Sequence, residues 1–533
     1  MTQAQSETIA PDVHLQTIEL GETGNFSPLF LDYLSAKAEI KDFYNLPPHP
    51  ESIAEQIKQK ESFDPAIRAD VVATLKEQYA HIEISQAVAQ NIDALADGKT
   101  FTVTTGHQLN IFTGPLYFIY KIVTVVNACR ELAEKHPGYT FVPVYWMASE
   151  DHDFEEIASF RLFNQKYTWE TEQTGPVGRM KTSGLEKIIQ ALPEPAPIFE
   201  KAYTEQATLA DAVRYYVDQL FAEYGVVVLD ADHPTLKKHL ATVIHDDLRN
   251  HKANALVEAQ SARLDEMGYK TQVFPREINF FWMQDGLRER IVKEDGQYKA
   301  LNTDKSWSEE EMHALVDAHP EEFSPNVILR PLYQEIILPN LAYSGGPAEV
   351  IYWLQLKPVF DHYNVPFPLV MPRNFGLYVN KGNQRKLEKT GVNIADLFLD
   401  FDQLRKKFVK EEADSELSLA EETKALEAIF EQIKEKALAV DKTLEGWVGA
   451  ESAKASKVIE NVEKRLKKAE ENKHATTIRQ LESLKDRLFP NGNLQERTDN
   501  FLNFYLNNPA FIGQLVRAFQ PFRYQFHVLT EQD

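Results

Sequence analysis

Residues 101–115 read FTVTTGHQLNIFTGP, and this stretch decides the fold. A run suited to a buried strand (Phe101, Val103) breaks into a small polar loop, Thr104-Thr105-Gly106-His107-Gln108. Gly114-Pro115 then opens a helix-like stretch from Leu116, since proline is pre-organised for the first helical position. Residues 141–156, FVPVYWMASEDHDFEE, repeat the pattern with a second apolar run and a second polar loop. Strand, polar loop, helix, strand, polar loop is the signature of a parallel α/β sheet. Ligands of such sheets bind outside the carboxyl ends of the strands, where the two loops would lie side by side.

Working outward, YGVVVLDADHP supplies a third strand with a polar end, and PFPLVMPRNFGLYV a further one. Between them, residues 323–360 restore the core pattern: Arg330-Pro331 at a polar strand end, then Gly345-Gly346-Pro347 opening a helix. Two stretches read as insertions, at about 160–215 and about 235–325. The first contains FRLFNQKYTWETEQ, a hairpin or small sheet; the second contains INFFWMQDGLRERIVKEDGQYKAL, antiparallel β around two Asp-Gly turns. The expected α/β core with its insertions therefore spans 1–400. Residues 401–492 form the next expected domain, and the character of the sequence changes over 415–489. Leu419, Thr423, Leu426, Phe430, Ile433, Ala437, Val440 and Leu444 alternate spacings of four and three, an a/d seam over three heptads. Gly446 and Gly449 interrupt it before a second amphipathic run, which predicts an antiparallel coiled-coil hairpin with a glycine-bearing turn. Residues 493–533 read as a helix and a strand returning to the core.

The totals bound the function. A chain of 533 residues exceeds one hydrophobic core. The formal net charge of −23 argues against a nucleic-acid partner, which needs a basic surface. The single cysteine, Cys129, rules out an internal disulfide and reads as a small buried residue. The amino terminus shows neither a basic n-region nor an apolar h-region, and no apolar stretch reaches the ~20 residues of a membrane span. A cytoplasmic location with no membrane partner is expected.

The polar loops hold the candidate chemistry. Thr105, Gly106, His107 and Gln108, with Thr113 and Gly114 at the helix start, suit an anion or carboxylate held by free backbone N–H groups. Lys121, two turns in, is placed too far along to join them. In Ser149–Glu156 carboxylates flank an imidazole. Asp151 or Asp153 would orient His152 as a general base, with Glu150 beside the substrate. The same residue types suit a divalent cation or a helix cap; no metal site is assigned. Arg330 and Arg373 suit bidentate pairing with a substrate carboxylate; the alternative for Arg330 is a salt bridge to Glu335 or another core acid. Ser344, Gly345 and Gly346 offer donors at another helix start. Neither GxxxxGK[ST] nor a well-placed GxGxxG is present.

GHQLNIFTGPLYFIYK (106–121), VPVYWMASEDHDFEE (142–156), ILRPLYQEIILPNLAYSGGPAEVIYW (328–353) and the late coiled coil together resemble the bacillithiol biosynthesis cysteine-adding enzyme family, from about residue 25 to the carboxyl terminus. The resemblance implies a Rossmann-like core related to class I aminoacyl-tRNA synthetases, two inserted connective peptides and the coiled coil. It implies a carbon–nitrogen ligase joining cysteine to the amino group of glucosaminyl malate, the last step of bacillithiol synthesis. On that reading His152 takes the proton of the attacking amine and His107 polarises the acyl group. One departure stands out. Gly106-His107-Gln108-Leu109 only echoes the first adenylation motif of such synthetases, and 381–386 (KGNQRK) is no substitute for the second. No cofactor is assigned, and a nucleotide such as ATP or ADP stays open. The coiled coil suggests a homodimer. The alternative is a nucleotide- or sugar-binding scaffold whose coiled coil recruits partners.

Overall fold

The structure, a computed structural model, describes residues 6–10, 13–413 and 416–532. The chain divides into two units. The first combines the residues up to Tyr378 with Leu494–Gln532, and the second is Val379–Asn493.

The first unit is built on a five-stranded, all-parallel sheet. Its strands are β1 (Thr100–His107), β2 (Thr140–Met147), β3 (Val227–Asp230), β4 (Asn340–Gly345) and β5 (Leu369–Pro372), in the order β5-β4-β1-β2-β3. β1 sits in the middle, and successive connections leave it in opposite directions, so the carboxyl end of β1 is the switch point of the sheet. Apart from its last residue β1 is buried along its length, as a parallel strand covered on both faces must be. Its threonines survive there because Thr102 and Thr104 both donate to Asn340 Oδ1, at 3.0 and 2.8 Å. Asn340 in turn donates to Glu335 at 2.7 Å, and Glu335 pairs with buried Lys60 at 2.8 Å. Phe101, Val103, Phe141, Leu341, Leu369 and Met371 pack with Val125, Cys129 and Leu132 of helix α1 (Tyr117–Lys135). Cys129 is buried, and burial pushes its thiol well up. It is a core residue.

Both stretches read as insertions carry separate substructures. Between β2 and α2 (Leu209–Phe221), residues 159–162 and 165–168 form a hairpin, with Phe163 and Asn164 at positive φ in its turn. Between β3 and β4 lies a five-stranded antiparallel sheet that includes 280–284, 287–294 and 297–300. Its two tight turns are Asp285-Gly286 and Asp295-Gly296, as the paired Asp-Gly signals predict. The carboxyl-terminal strand Gln525–Glu531 pairs antiparallel with Val13–Glu19, tying the end of the chain to this unit. Among the described residues no helix is long and apolar enough to cross a membrane.

The second unit is helical, and its long pair is α4 (Ala420–Val440) and α5 (Leu444–Lys473). Two helices this long joined by three residues run antiparallel, as the seam predicts. The turn, however, is Asp441-Lys442-Thr443, not the glycines. Asp441 Oδ1 accepts from the Thr443 backbone N–H and hydroxyl, each at 2.8 Å, a local side-chain turn that needs no glycine. Gly446 and Gly449 lie inside α5. This unit opens at Val379, about twenty residues before the expected boundary at 401.

Candidate active site

Where β1, β2 and β4 end, the first unit encloses a cavity of about 680 Å³. Gly106, His107 and Gln108 enter it from β1, and Glu150 and Asp151 from the loop after β2. Gly346 and Glu349 come from the start of α3 (Pro347–His362), and Arg330 and Arg373 complete the candidates present. The two polar loops do converge.

The floor of the cavity is an ion pair between buried Lys121 and partly exposed Glu349. Lys121 Nζ lies 2.6 Å from Glu349 Oε2 and donates to the Gly106 carbonyl at 2.7 Å. Glu349 also accepts from Tyr343 Oη at 2.9 Å and from the Gly346 N–H at 2.6 Å. Burial raises its pKa, but Lys121 and these donors outweigh burial and hold it below the usual carboxylate range. Burial pushes Lys121 down. Gly345 must be glycine: a Cβ would sit 2.9 Å from the Glu349 Cβ and 3.1 Å from the Tyr343 ring. His107 stacks on Tyr117, with ring centroids 5.3 Å apart, and leaves a buried Nε2 with no partner. Burial, reinforced by the Lys121 charge, pushes its pKa down to about 3, so it works as a neutral imidazole.

One wall is acidic. Gln108 Nε2 donates to Asp151 Oδ2 at 2.9 Å and to Glu156 Oε2 at 2.5 Å, gathering two carboxylates. Burial raises the Asp151 pKa, but the Gln108 hydrogen bond and the Arg288 charge prevail and keep it lowered. The opposite side is cationic. Arg330 is flanked by the rings of Trp146 and Tyr343, 5.7 and 5.5 Å from its guanidinium carbon, and Nη1 donates to Gln334 at 3.1 Å. Its Nη2 is buried without a partner. Glu335, its expected carboxylate, is taken by Lys60. Arg330 also opens the helix Arg330–Ile337 rather than ending a strand, because Pro331 suits a first helical turn.

The comparisons with known proteins match this architecture in two pieces. Residues 13–374 match the bacillithiol biosynthesis BshC amino-terminal Rossmann-like domain, and 376–531 its carboxyl-terminal coiled-coil domain. A protein of Cytophaga hutchinsonii named "Putative cysteine ligase BshC" is 43% identical over 507 residues, covering 95% of this chain and 97% of its own. Proteins of the same name from Flavobacterium psychrophilum and Flavobacterium johnsoniae are 42% and 41% identical, covering 96% and 95% of this chain and 98% of each of theirs. This chain belongs to the BshC family.

Several predicted site residues of this BshC family member do other work. The start of α1 is closed: Leu116 N–H donates to the Asp499 carbonyl at 2.7 Å, and Asn500 Nδ2 donates to the carbonyls of Phe112 and Gly114 at 2.7 and 2.6 Å. Phe112, Thr113 and Gly114 all have positive φ and are fixed by these bonds, so the N–H groups of residues 113–116 are not a carboxylate clamp. Thr105 is fully buried and donates to the Ser344 carbonyl at 2.7 Å. Ser344 is buried behind the cavity with its hydroxyl unpartnered. Glu150 lines the cavity yet pairs with buried Lys237 at 2.7 Å. Arg373 is bonded to Glu496 at 2.6 Å, both almost wholly buried, so its charge is neutralised within the protein. A buried guanidinium needs such a partner.

His152 is the largest change. Asp151 Oδ1 is 3.8 Å from Nδ1, too far for a hydrogen bond, and accepts instead from the backbone N–H groups of His152 (2.7 Å) and Asp153 (3.3 Å). Asp153 caps the short helix Phe154–Ile157. The ring meets Arg288, and it lines a shallow depression formed by residues 151–156 beside the main cavity. Among the described residues no carboxylate is hydrogen-bonded to the ring to orient it as a base. Among the described residues no group of three or more His, Cys, Asp or Glu is placed to hold a metal ion.

Sequence reasoning missed Lys121, Glu349, Arg288, Tyr117, Tyr352 and Arg497, all in the cavity wall. Lys121 carried a readable signal as a lone lysine inside an otherwise apolar helix face. Arg288 and Arg497 carried none, because each arrives from a distant stretch of chain.

Proposed function

We propose that the protein is a ligase that joins cysteine to the amino group of glucosaminyl malate, the last step of bacillithiol synthesis. The observation that carries this reading is Arg330: a cavity-lining guanidinium against two rings, with no carboxylate partner among the described residues and a buried Nη2 without a partner. Such a group is completed by an incoming carboxylate, and a malyl acceptor brings two. Asp151 and Glu156 offer the opposite charge to the amino sugar. Neutral His107 lines the same cavity, close to where developing charge on the acyl oxygen would need a partner. The step forms one carbon–nitrogen bond and breaks the bond from the cysteine carboxyl carbon to its activating oxygen substituent, which leaves with the proton lost from the amine. The relatives' shared name, cysteine ligase, supports the same reading.

Mass spectrometry of thiols in a strain lacking the gene tests it. Accumulated glucosaminyl malate with loss of the final thiol is expected; an unchanged thiol pool rejects it.

The coiled coil supports the further proposal of a homodimer. Val458, Val462 and Leu466 of α5 and Ile429 and Ile433 of α4 are exposed at 40 to 61%, an apolar stripe that a second copy would cover. Light scattering should report a dimer that Val462→Lys with Leu466→Lys converts to a monomer. A monomeric unmodified chain rejects the proposal.

A further inference from the structure

We propose that Arg288, delivered by the inserted antiparallel sheet, is a positioning residue that fixes the proton of His152 on Nε2 and makes this imidazole a hydrogen-bond donor to the substrate. The contact itself carries the argument. Arg288 Nη1 lies 2.8 Å from His152 Nδ1. A guanidinium has five N–H donors and no acceptor, so the ring nitrogen facing it must offer its lone pair. The only proton of a neutral imidazole then resides on the other nitrogen.

Arg288 is not free to move away. Its Nε donates to Ser324 Oγ at 3.0 Å and its Nη2 to the Pro325 carbonyl at 3.2 Å. Its guanidinium carbon lies 3.9 Å from the centre of the Phe281 ring, and its side chain is 8% exposed. Two neighbouring strands of the inserted sheet thus clamp the group that meets His152. A protonated His152 would set an N–H against these N–H groups.

The charged groups around the ring are Arg288, Asp151, Glu289 and Asp153, and Arg288 Nη1 is itself 3.9 Å from Asp151 Oδ1. Burial and Arg288 outweigh the three carboxylates and keep the imidazole below its ordinary pKa. His152 shares its depression with Asp151 and Glu156, both of which also line the main cavity. An Nε2–H there suits a neutral acceptor oxygen, such as a sugar hydroxyl or a carbonyl. What the donor is used for rests on the ligase reading; the tautomer does not.

Two measurements on the full chain test the proposal. Nitrogen-15 NMR of histidine-labelled protein should show His152 as the Nε2–H tautomer, titrating below pH 6.5. In Arg288→Met the carboxylates remain and the titration should move up by at least one pH unit; Arg288→Lys, which keeps a donor and a charge, should restore most of the shift. An Nδ1–H tautomer, or a titration that Arg288→Met leaves in place, overturns the proposal without touching the ligase reading. In thiol production, His152→Gln, whose amide donates from the ε position, should retain activity within about tenfold, while His152→Asn and His152→Ala should lose more. Equal loss in all three, with folding intact, removes the donor role. A chain that makes no thiol at all but shows the NMR result rejects the ligase reading and leaves Arg288 as assigned.

Discussion

The turn carrying Arg330 and the strand end carrying Arg373 both deliver a guanidinium to one cavity, from sequence contexts that look alike. Each arginine adjoins a proline, in LRP and in MPR. Arg373 meets Glu496, which the returning carboxyl-terminal segment brings in and which also accepts from the Gly376 N–H. Arg330 meets aromatic faces and a glutamine, and the carboxylate nearest in sequence has gone to Lys60. The lesson is that availability of a charge is decided by what arrives from elsewhere in the chain. A buried ion pair stabilises; an unpaired guanidinium at a cavity wall is ready for a ligand.

The comparison can be broken most forcefully at Arg373. Arg373→Met leaves Glu496 buried and unpaired, and should cost ~3–5 kcal/mol of stability. A fall in urea midpoint would record it, and adding Glu496→Gln should recover part of the loss. A stable single variant with impaired substrate affinity would mean that the two arginines had been assigned the wrong way round. Arg330→Met should do the reverse. Losing a charge-assisted hydrogen bond costs ~1.5–3 kcal/mol, or roughly 10- to 150-fold in activity, with an unchanged melting temperature.

A smaller effect sharpens the electrostatics of the floor. His107 is pushed from an ordinary 6.5 to about 3 in the folded chain. As pH falls below 6.5 the unfolded chain takes up a proton that the folded chain refuses. Stability from this site is therefore full above pH 6.5 and falls on acidification toward pH 3, by at most about 1.4 kcal/mol per pH unit. His107→Gln should flatten the stability profile between pH 6.5 and 5. An equally steep profile in the variant would place the titration elsewhere.

Much of the fold was legible because its signals are local. Alternating apolar runs and polar loops gave the parallel sheet, two Asp-Gly pairs gave the inserted hairpins, and the a/d seam gave the helix pair. The hairpin turn was misplaced because Asp441 closes it through a side chain, where glycine was the louder signal. The site was legible in position and less so in role. Gly106, His107, Gln108, Asp151 and Arg330 reach the cavity. Thr105 and Ser344 face the sheet, and the α1 start is sealed by Asp499 and Asn500, nearly four hundred residues away. Separation in sequence also hid Arg288, which lies 136 residues from the His152 it contacts.

On the proposed function Arg330, which has no carboxylate partner among the described residues, receives a carboxylate of the acceptor. Titration calorimetry of glucosaminyl malate into the unmodified protein and into Arg330→Met tests it most directly. The account predicts binding to the first and affinity weakened roughly 10- to 150-fold in the second, in line with one lost charge-assisted contact. Equal affinity for both proteins would contradict it.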